Sequence, residues 1–459
     1  MIFSPLARAI TLATAGSIFM AVPSLASAAF IEDSTASLGF RNLYMNQDTR
    51  HVENIDKDAS KNIAGNRSAN KTKEEWAQAI MLDYKSGFTE GTVGFGIDIY
   101  AATGIKLDSG PNRTPDMFPQ DTRHNGTATK AADKRSVGSF GKLGGTAKVK
   151  VSDSVLHVGT LMARLPILQS NLEVRLLPQV FTGVMVTSNE IDGLTAVLGH
   201  IDRVNQRSSS DHERLQMNSQ RKNITNRKTN KAITGQPNKS NTSNSFDFAN
   251  LNYKWDDSLT TGYSFARLQD LYKQHMVNAV HLLPLGDKRS LKTDVRLSRS
   301  TSDGDYRVDN KAFSSMATYN FGFNKLGLGY QKMTGDTGFS YVQGADPFLV
   351  NYVANRDFAA RDEASWQIRH DYNFAGVGIP GLTMFNRYIK GTGADLGRDA
   401  SGKKKEGREW ERDFDISYAF QTGALKNFNV RWRNSTVRSN ITKHLDDNRL
   451  ILAYTLPLL

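Results

Sequence analysis

Apolar residues occupy every second position along much of this chain. Phe414, Ile416, Tyr418 and Phe420 alternate with Asp413, Asp415, Ser417, Ala419 and Gln421; Trp366, Ile368, His370, Tyr372 and Phe374 alternate with Gln367, Arg369, Asp371 and Asn373; Val93, Phe95, Ile97 and Ile99 alternate with Thr92, Gly94, Gly96 and Asp98. A strand points successive side chains to opposite faces, so each segment has one apolar wall and one hydrated wall. The hydrated wall carries Arg and Asp as well as Ser and Thr. The pattern predicts an all-β fold, a single transmembrane antiparallel β-barrel with lipid outside and water inside.

Two kinds of connection separate the expected strands. Short ones carry tight-turn chemistry, as at Asp256-Asp257, Gly322 to Lys325 and Gly423 to Asn427. Long ones are polar and charge-rich: Asn46 to Thr72, Leu107 to Arg135, Asp202 to Ser245, Gly335 to Arg361 and Gly391 to Arg408. Short turns at one end and long loops at the other is the asymmetry of outer-membrane barrels. The Asp202 to Ser245 stretch, dense in Asn, Ser, Lys and Arg, reads as a solvated, mobile loop, or alternatively as a contact site for surface polyanions, and so does Lys403-Lys404-Lys405.

One region breaks the alternation. Gly159 to Ser170, containing Leu165-Pro166-Ile167-Leu168, is followed by Arg175-Leu176-Leu177-Pro178-Gln179. Its two prolines cannot donate to a ladder, and its apolar content is high for a loop in water. It is expected to be a loop folded into the barrel, narrowing the bore.

The N-terminus fits an exported protein. Met1 to Ala28 carries one charge (Arg8), an apolar stretch from Ala9 to Val22 and a terminal Ala26-Ser27-Ala28, the layout of a secretory signal peptide. The mature barrel is therefore expected to span residues 29–459. The 39% hydrophobic content excludes a helical membrane protein, whereas a barrel needs only half of each strand to be apolar. With no Cys there is neither a disulfide framework nor a thiolate metal site. Tyr (15) and Phe (23) outnumber Trp (5), which suits aromatic girdles.

The net charge is +12. Nucleic acid, anionic lipopolysaccharide and anionic solutes in the lumen are the candidate partners of such a chain. The export signal and the spreading of Arg across many strands argue against nucleic acid. Chemistry-bearing motifs are scarce: there is no HExxH, P-loop or GxSxG. Gly91-Thr92-Val93-Gly94-Phe95-Gly96 lies inside an alternating strand and opens no helix, so its small residues are expected to leave room for another segment. His212-Glu213 has no second ligand at a useful spacing. Neither an enzyme nor a cofactor or metal site is expected.

The informative polar groups are arginines on hydrated faces. In Val430-Arg431-Trp432-Arg433-Asn434, Trp432 faces out with Val430, which puts Arg431 and Arg433 on the inner face. Leu450, Leu452, Tyr454 and Leu456 form a lipid side that turns Arg449 inward, and Leu38 and Phe40 do the same for Arg41. Each would cost roughly 2–4 kcal/mol on the lipid face near the midplane. Together they could form a line of positive charge down one wall.

Several stretches make a resemblance specific enough to name. They are Phe30-Ile31-Glu32-Asp33-Ser34, Glu75-Trp76, Thr89 to Gly96, Gly159-Thr160-Leu161 through Gln179, Gly335-Asp336-Thr337-Gly338-Phe339, Gly378 to Thr383 and Trp432-Arg433-Asn434. Over essentially the whole mature chain the sequence resembles the OprD-type outer-membrane carboxylate channels. The resemblance implies a monomeric, substrate-selective porin of about 18 strands with an inward-folded third loop and a basic ladder; a weak trimer is the other possibility. By position, Arg41, Arg175, Arg431, Arg433 and Arg449 would be ladder or constriction residues. Asp346 would be the acidic partner from a second inserted loop, and Tyr330 a wall residue near the eyelet. Departures are Gln47, where relatives often carry Arg, the long basic Asp202 to Ser245 loop, and the non-aromatic final Leu459.

The function so implied is passive uptake of small carboxylate solutes across the outer membrane, in contact with its lipid and lipopolysaccharide. The Leu-Pro-Ile-Leu-Gln-Ser run favours aromatic or other small organic acids. The alternatives are a channel for basic amino acids or dipeptides, a barrel that binds or modifies surface lipid, and a structural barrel without an open pore.

Overall fold

The computed structural model describes residues 27–50, 71–110, 113, 117–121, 135–170, 175–218, 224–229, 232, 241–399 and 401–459. Eighteen strands form one sheet. In chain order they are β1 (Thr35–Arg50), β2 (Lys71–Lys85), β3 (Val93–Asp108), β4 (Ser139–Val151), β5 (Ser154–Leu161), β6 (Val180–Ile191), β7 (Leu194–Asn205), β8 (Phe246–Lys254) and β9 (Leu259–Leu268). They continue as β10 (Tyr272–Gly286), β11 (Arg289–Ser302), β12 (Asp309–Phe321), β13 (Asn324–Thr334), β14 (Ala364–Asn373), β15 (Leu382–Arg398), β16 (Lys404–Ala419), β17 (Asn429–Ser439) and β18 (His444–Pro457). Each strand pairs antiparallel with its sequence neighbour, and β1 also pairs with β18, from Ser37 opposite Pro457 to Arg50 opposite His444. The first and last strands thus close the barrel, and no edge is left to pair with another chain.

The two ends differ in their connections. At the end holding Thr35 and Pro457 several are tight: Ser152-Asp153, Gly322-Phe323, and Asp287-Lys288, where φ values of 48° and 59° give the twist that matches flanking strands. The longest connections, among them residues 206–245 and 335–363, all lie at the other end, beside short ones such as residues 269–271. This asymmetry makes the turn end periplasmic and the loop end extracellular.

The alternation holds in space. On β16, Glu409, Glu411, Asp413 and Asp415 are buried inside, while Trp410, Phe414, Ile416 and Tyr418 face out. Phe95, Trp366, Ile368 and Leu328 are among the exposed outward residues. Trp366, Tyr388 and Trp410 form an aromatic chain on that surface, with ring centroids 5.6 and 5.7 Å apart. Apolar groups outside and charges inside invert the soluble pattern, and lipid is the solvent that favours it. Among the described residues no helix is long and apolar enough to cross a membrane.

A six-residue helix, α1 (Ser27–Glu32), closes the turn end. It sits over Gly87, whose amide donates to the Phe30 carbonyl at 3.0 Å. The Gly-rich run of β3 does make room, as expected: a Cβ on Gly96 would lie 2.8 Å from the Gly87 carbonyl oxygen, and one on Gly94 would lie 3.0 Å from that of Thr89. The expected signal peptide, Met1 to Ala28, lies outside the described residues as far as residue 26.

Three loop expectations need correction. Gly391 to Arg408 is mostly strand, with β15 running to Arg398 and β16 starting at Lys404, so only a short turn separates them. Strands that rise beyond the bilayer meet water on both faces and lose the apolar alternation, which is why this stretch looks like loop. Gly159 to Ser170 does fold inward, but as the end of β5 followed by a miniature hairpin, with Arg164 opposite Gln169 and Leu165 opposite Leu168. The described part of Asp202 to Ser245 is anchored, not loose. Leu215-Gln216 pairs with Thr242-Ser243, Thr225-Asn226 with Tyr306-Arg307, and Met217 with Val342. Leu215, Met217 and Ile224 are buried.

Candidate pore lining

Two loops fill the upper bore. The first, described over residues 162–170 and 175–179, buries Ile167, Leu168, Leu176 and Leu177. It is braced from the wall: Lys142 on β4 donates from Nζ to the Pro178 carbonyl at 2.8 Å and the Gln206 carbonyl at 2.6 Å. Arg41 Nη1 donates to the Arg175 carbonyl at 2.7 Å and the Leu176 carbonyl at 3.4 Å. The second loop, Gly335 to Glu363, buries Phe339, Val342, Leu349 and Phe358. The loops touch where the Asp346 amide donates to the Gln169 carbonyl at 3.0 Å.

The wall that the loops meet is a lattice of guanidinium–carboxylate pairs. Arg431 Nε donates to both Asp415 oxygens, at 2.9 and 2.8 Å, and Arg433 Nε donates to the Oδ2 of the same aspartate at 2.8 Å. Arg449, 1% exposed, forks onto Asp447 through Nε (3.1 and 3.2 Å) and Nη2. Register sets this geometry. Asp415 lies opposite Arg433, Arg433 opposite Arg449, and Arg449 opposite Met45, across the three adjacent strand pairs from β16 to β1. Arg175 reaches the same row from the loop, its Nη1 3.4 Å from the Met45 sulfur.

The ladder residues expected from the sequence therefore do come together, with different tasks. Arg431, Arg433, Arg449 and Arg175 form one cluster, while Arg41 holds the loop backbone. Each strand guanidinium of the cluster has a carboxylate partner, so the wall is a paired lattice with an excess of cations, not a bare positive stripe. Three further pairs continue the lattice: Arg387 with Asp413 (2.7 Å), Arg369 with Asp371 (2.6 Å) and Arg296 with Asp294 (2.6 Å). Arg296 also lies under the Phe348 ring of the second loop, 3.7 Å from its centroid. Arg369 was visible in the alternation of β14. Arg387 was not, because Phe385 and Ile389 share its inward face and break the pattern.

Tyr330 is a correction. It is 48% exposed, on the outer face with Leu326 and Leu328, while Gly329 and Gln331 beside it are buried inside. It cannot line an eyelet from there. Asp346 does sit in the bore, where it accepts a hydrogen bond from the Tyr352 hydroxyl at 2.7 Å. Burial, reinforced by the Asp346 charge, raises the Tyr352 phenol above its ordinary value, so it remains a neutral donor. Gln47, in place of an expected Arg, is buried and donates to Asp447 Oδ2 at 3.1 Å, supplementing Arg449.

Open space remains on both sides of the loops. A cleft of about 470 Å³ on the loop side is lined by Arg175, Arg449, Arg207, Arg356, Lys73 and Tyr352, among others. On the turn side, one of about 410 Å³ is lined by Arg296, Arg369, Arg387, Lys292 and Lys325, and one of about 390 Å³ by Arg431, Asp415 and Lys325. The guanidinium lattice thus continues from above the loops to below them. Among the described residues no group of His, Asp or Glu is arranged to hold a metal.

A closed lipid-facing barrel whose bore is narrowed by inserted loops and lined by charge is a membrane channel of the porin class. Comparison with known proteins agrees. Residues 28–458 match the model of the family described as outer membrane porin, OprD family. The chain is 33% identical to the porin-like protein GalP of Pseudomonas putida over 438 residues, covering 94% of this chain and 93% of that one. The crystal structure of Pseudomonas aeruginosa OpdQ superposes with a TM-score of 0.79 at 46% identity, covering 94% of this chain and all of that one. That of Pseudomonas aeruginosa OpdK with vanillate gives 0.78 at 30% identity, covering 93% of this chain and all of that one. This chain belongs to the OprD family of porins, and it is an outer-membrane protein.

Proposed function

We propose that the channel takes up small carboxylate-bearing solutes passively, with aromatic and other small organic acids favoured. The observation that carries this reading is the contiguous cluster of Arg175, Arg431, Arg433 and Arg449 beside Asp346. A wall with excess cation raises the local concentration of anions, and guanidiniums offer carboxylates forked, charge-assisted hydrogen bonds. Because each strand guanidinium of the cluster already has an aspartate partner, an entering carboxylate exchanges with a resident one and meets no single deep well, which conduction requires. Asp346, held in the bore by the Tyr352 hydroxyl, disfavours large anions. Vanillate, an aromatic carboxylate, accompanies the related OpdK.

The mature chain on this reading begins near Ala29 and works as a monomer without cofactor. The acidic row from Glu409 to Asp415 favours a second reading, a channel for basic amino acids. Liposome swelling separates the two: benzoate entering faster than arginine and than a neutral sugar of equal size supports the first. Arginine entering fastest would replace it with the second.

A further inference from the structure

The outer surface near the loop end carries a groove that the channel function does not use. It measures about 410 Å³ and crosses β10 to β13. Its floor is apolar, with Val277, Leu297 and Phe313 all exposed. Arg299, Lys311 and Lys332 rim it, with His275 beside them, and no carboxylate is among its lining residues. Strand register stacks these groups: His275 lies opposite Arg299, Arg299 opposite Lys311, and Phe313 opposite Lys332. Like charges placed directly opposite on neighbouring strands are unfavourable unless an anion joins them. Asp309 reaches Arg299 from just outside the groove, and Lys332 Nζ donates to the Asp362 carbonyl at 2.8 Å.

Aromatic groups fence both sides. Tyr263 hydrogen-bonds His275 at 2.8 Å and Phe265 lies against the same imidazole, with centroids 5.0 Å apart. Phe313 and Tyr330 face each other on the far side at 6.3 Å, which gives the outward Tyr330 a place in this surface. The cations lie near the loop-end termini of their strands, and the apolar floor lies below them, toward the middle of the barrel wall.

We propose that this groove binds a phosphorylated, multi-acyl glycolipid of the outer leaflet, with the chemistry of lipid A. One acyl chain lies along Val277, Leu297 and Phe313, and a phosphate bridges Arg299, Lys311 and Lys332. Arginine and lysine at a membrane surface attract anionic headgroups, and arginine adds forked hydrogen bonds to phosphate oxygens. The floor selects a lipid over a free phosphate, and the rim selects a phosphorylated lipid over a zwitterionic one.

Native mass spectrometry of the full chain in non-ionic detergent tests this, with titrations of bisphosphorylated lipid A, its dephosphorylated form and phosphatidylethanolamine. Bisphosphorylated lipid A should bind tightest. Arg299→Gln with Lys311→Gln should weaken it roughly tenfold or more, leaving single-channel conductance, and hence the folded barrel, unchanged. Leu297→Ser should weaken all three lipids while keeping the preference for phosphate. Equal binding of the three lipids, an unaltered affinity in the double variant, or self-association that covers the groove in place of lipid would overturn the proposal.

Discussion

Arg433 and Arg449 stand directly opposite each other on β17 and β18, yet they lean to different aspartates, Arg433 to Asp415 and Arg449 to Asp447. Two cations facing across a ladder repel, and the flanking carboxylates make the arrangement tenable. The bore is therefore held by the same pairs that would meet a solute. Structure and selectivity share residues, and the consequences differ from one arginine to the next.

Arg431 and Arg433 share Asp415 but differ in exposure, with side-chain accessibilities of 23% and 10%. Arg431→Ala leaves Asp415 paired with Arg433, so the loss should be about 1 kcal/mol, with slower carboxylate entry. Removing both leaves a buried carboxylate unpaired, which costs about 3–5 kcal/mol. Urea-dependent folding into liposomes should show this ordering, and the double variant Arg431→Gln/Arg433→Gln, which retains polar donors, should fold better than the double alanine variant.

Arg41 acts on the first inserted loop through its backbone. Arg41→Ala removes the donors to the Arg175 and Leu176 carbonyls and should loosen the constriction. Single-channel recordings should show more frequent conductance steps, whereas Lys142→Ala, removing the second brace, should show a further increase. Quiet traces from both variants would mean that the loop is held by its apolar contacts alone.

At the turn end, Gly87 has no space for a side chain: its Cβ would lie 2.2 Å from the Ala29 carbonyl oxygen and 2.8 Å from the Asp33 Cβ. Gly87→Ala should cost about 1–3 kcal/mol by displacing α1, measured as a lower urea midpoint, with conductance retained.

Tyr352 and Asp346 give a pH expectation. Because the folded-state phenol is raised above its ordinary value, the hydrogen bond to Asp346 is kept as pH rises and is lost only on the far alkaline side. Ion selectivity should be flat from neutral pH to about pH 10, and Tyr352→Phe should change it. Tyr330→Phe, on the lipid face, should not.

The barrel was legible because lipid outside and water inside impose a period of two on any strand that crosses both. Phe414, Ile416 and Tyr418 announced the outer face of β16, and Arg431, Arg433 and Arg449 were placed inside by their apolar neighbours. Where both faces meet water, as at residues 391–408, the period vanishes and strand looks like loop. The apolar anchors Leu215, Met217 and Ile224 were hidden singly among polar neighbours, so the 202–245 segment looked loose. The shared partner Asp415 and the Arg387 partner Asp413 were not legible either, since register across strands decides which aspartate they meet, whereas Asp447, Asp371 and Asp294 lie two residues from Arg449, Arg369 and Arg296 on the same strand and face. Tyr330 went astray for a different reason. The resemblance to the family carries it to the eyelet, whereas Leu326 and Leu328 at the same spacing mark its face as the outer one.

The most direct test of the account is the zero-current potential of single channels under a gradient of potassium benzoate. The wild-type channel should favour the carboxylate over potassium, and Arg431→Gln/Arg433→Gln should shift the potential toward the cation while the barrel stays folded. A wild-type channel that prefers potassium, or a potential that does not move when both guanidiniums are removed, would contradict it.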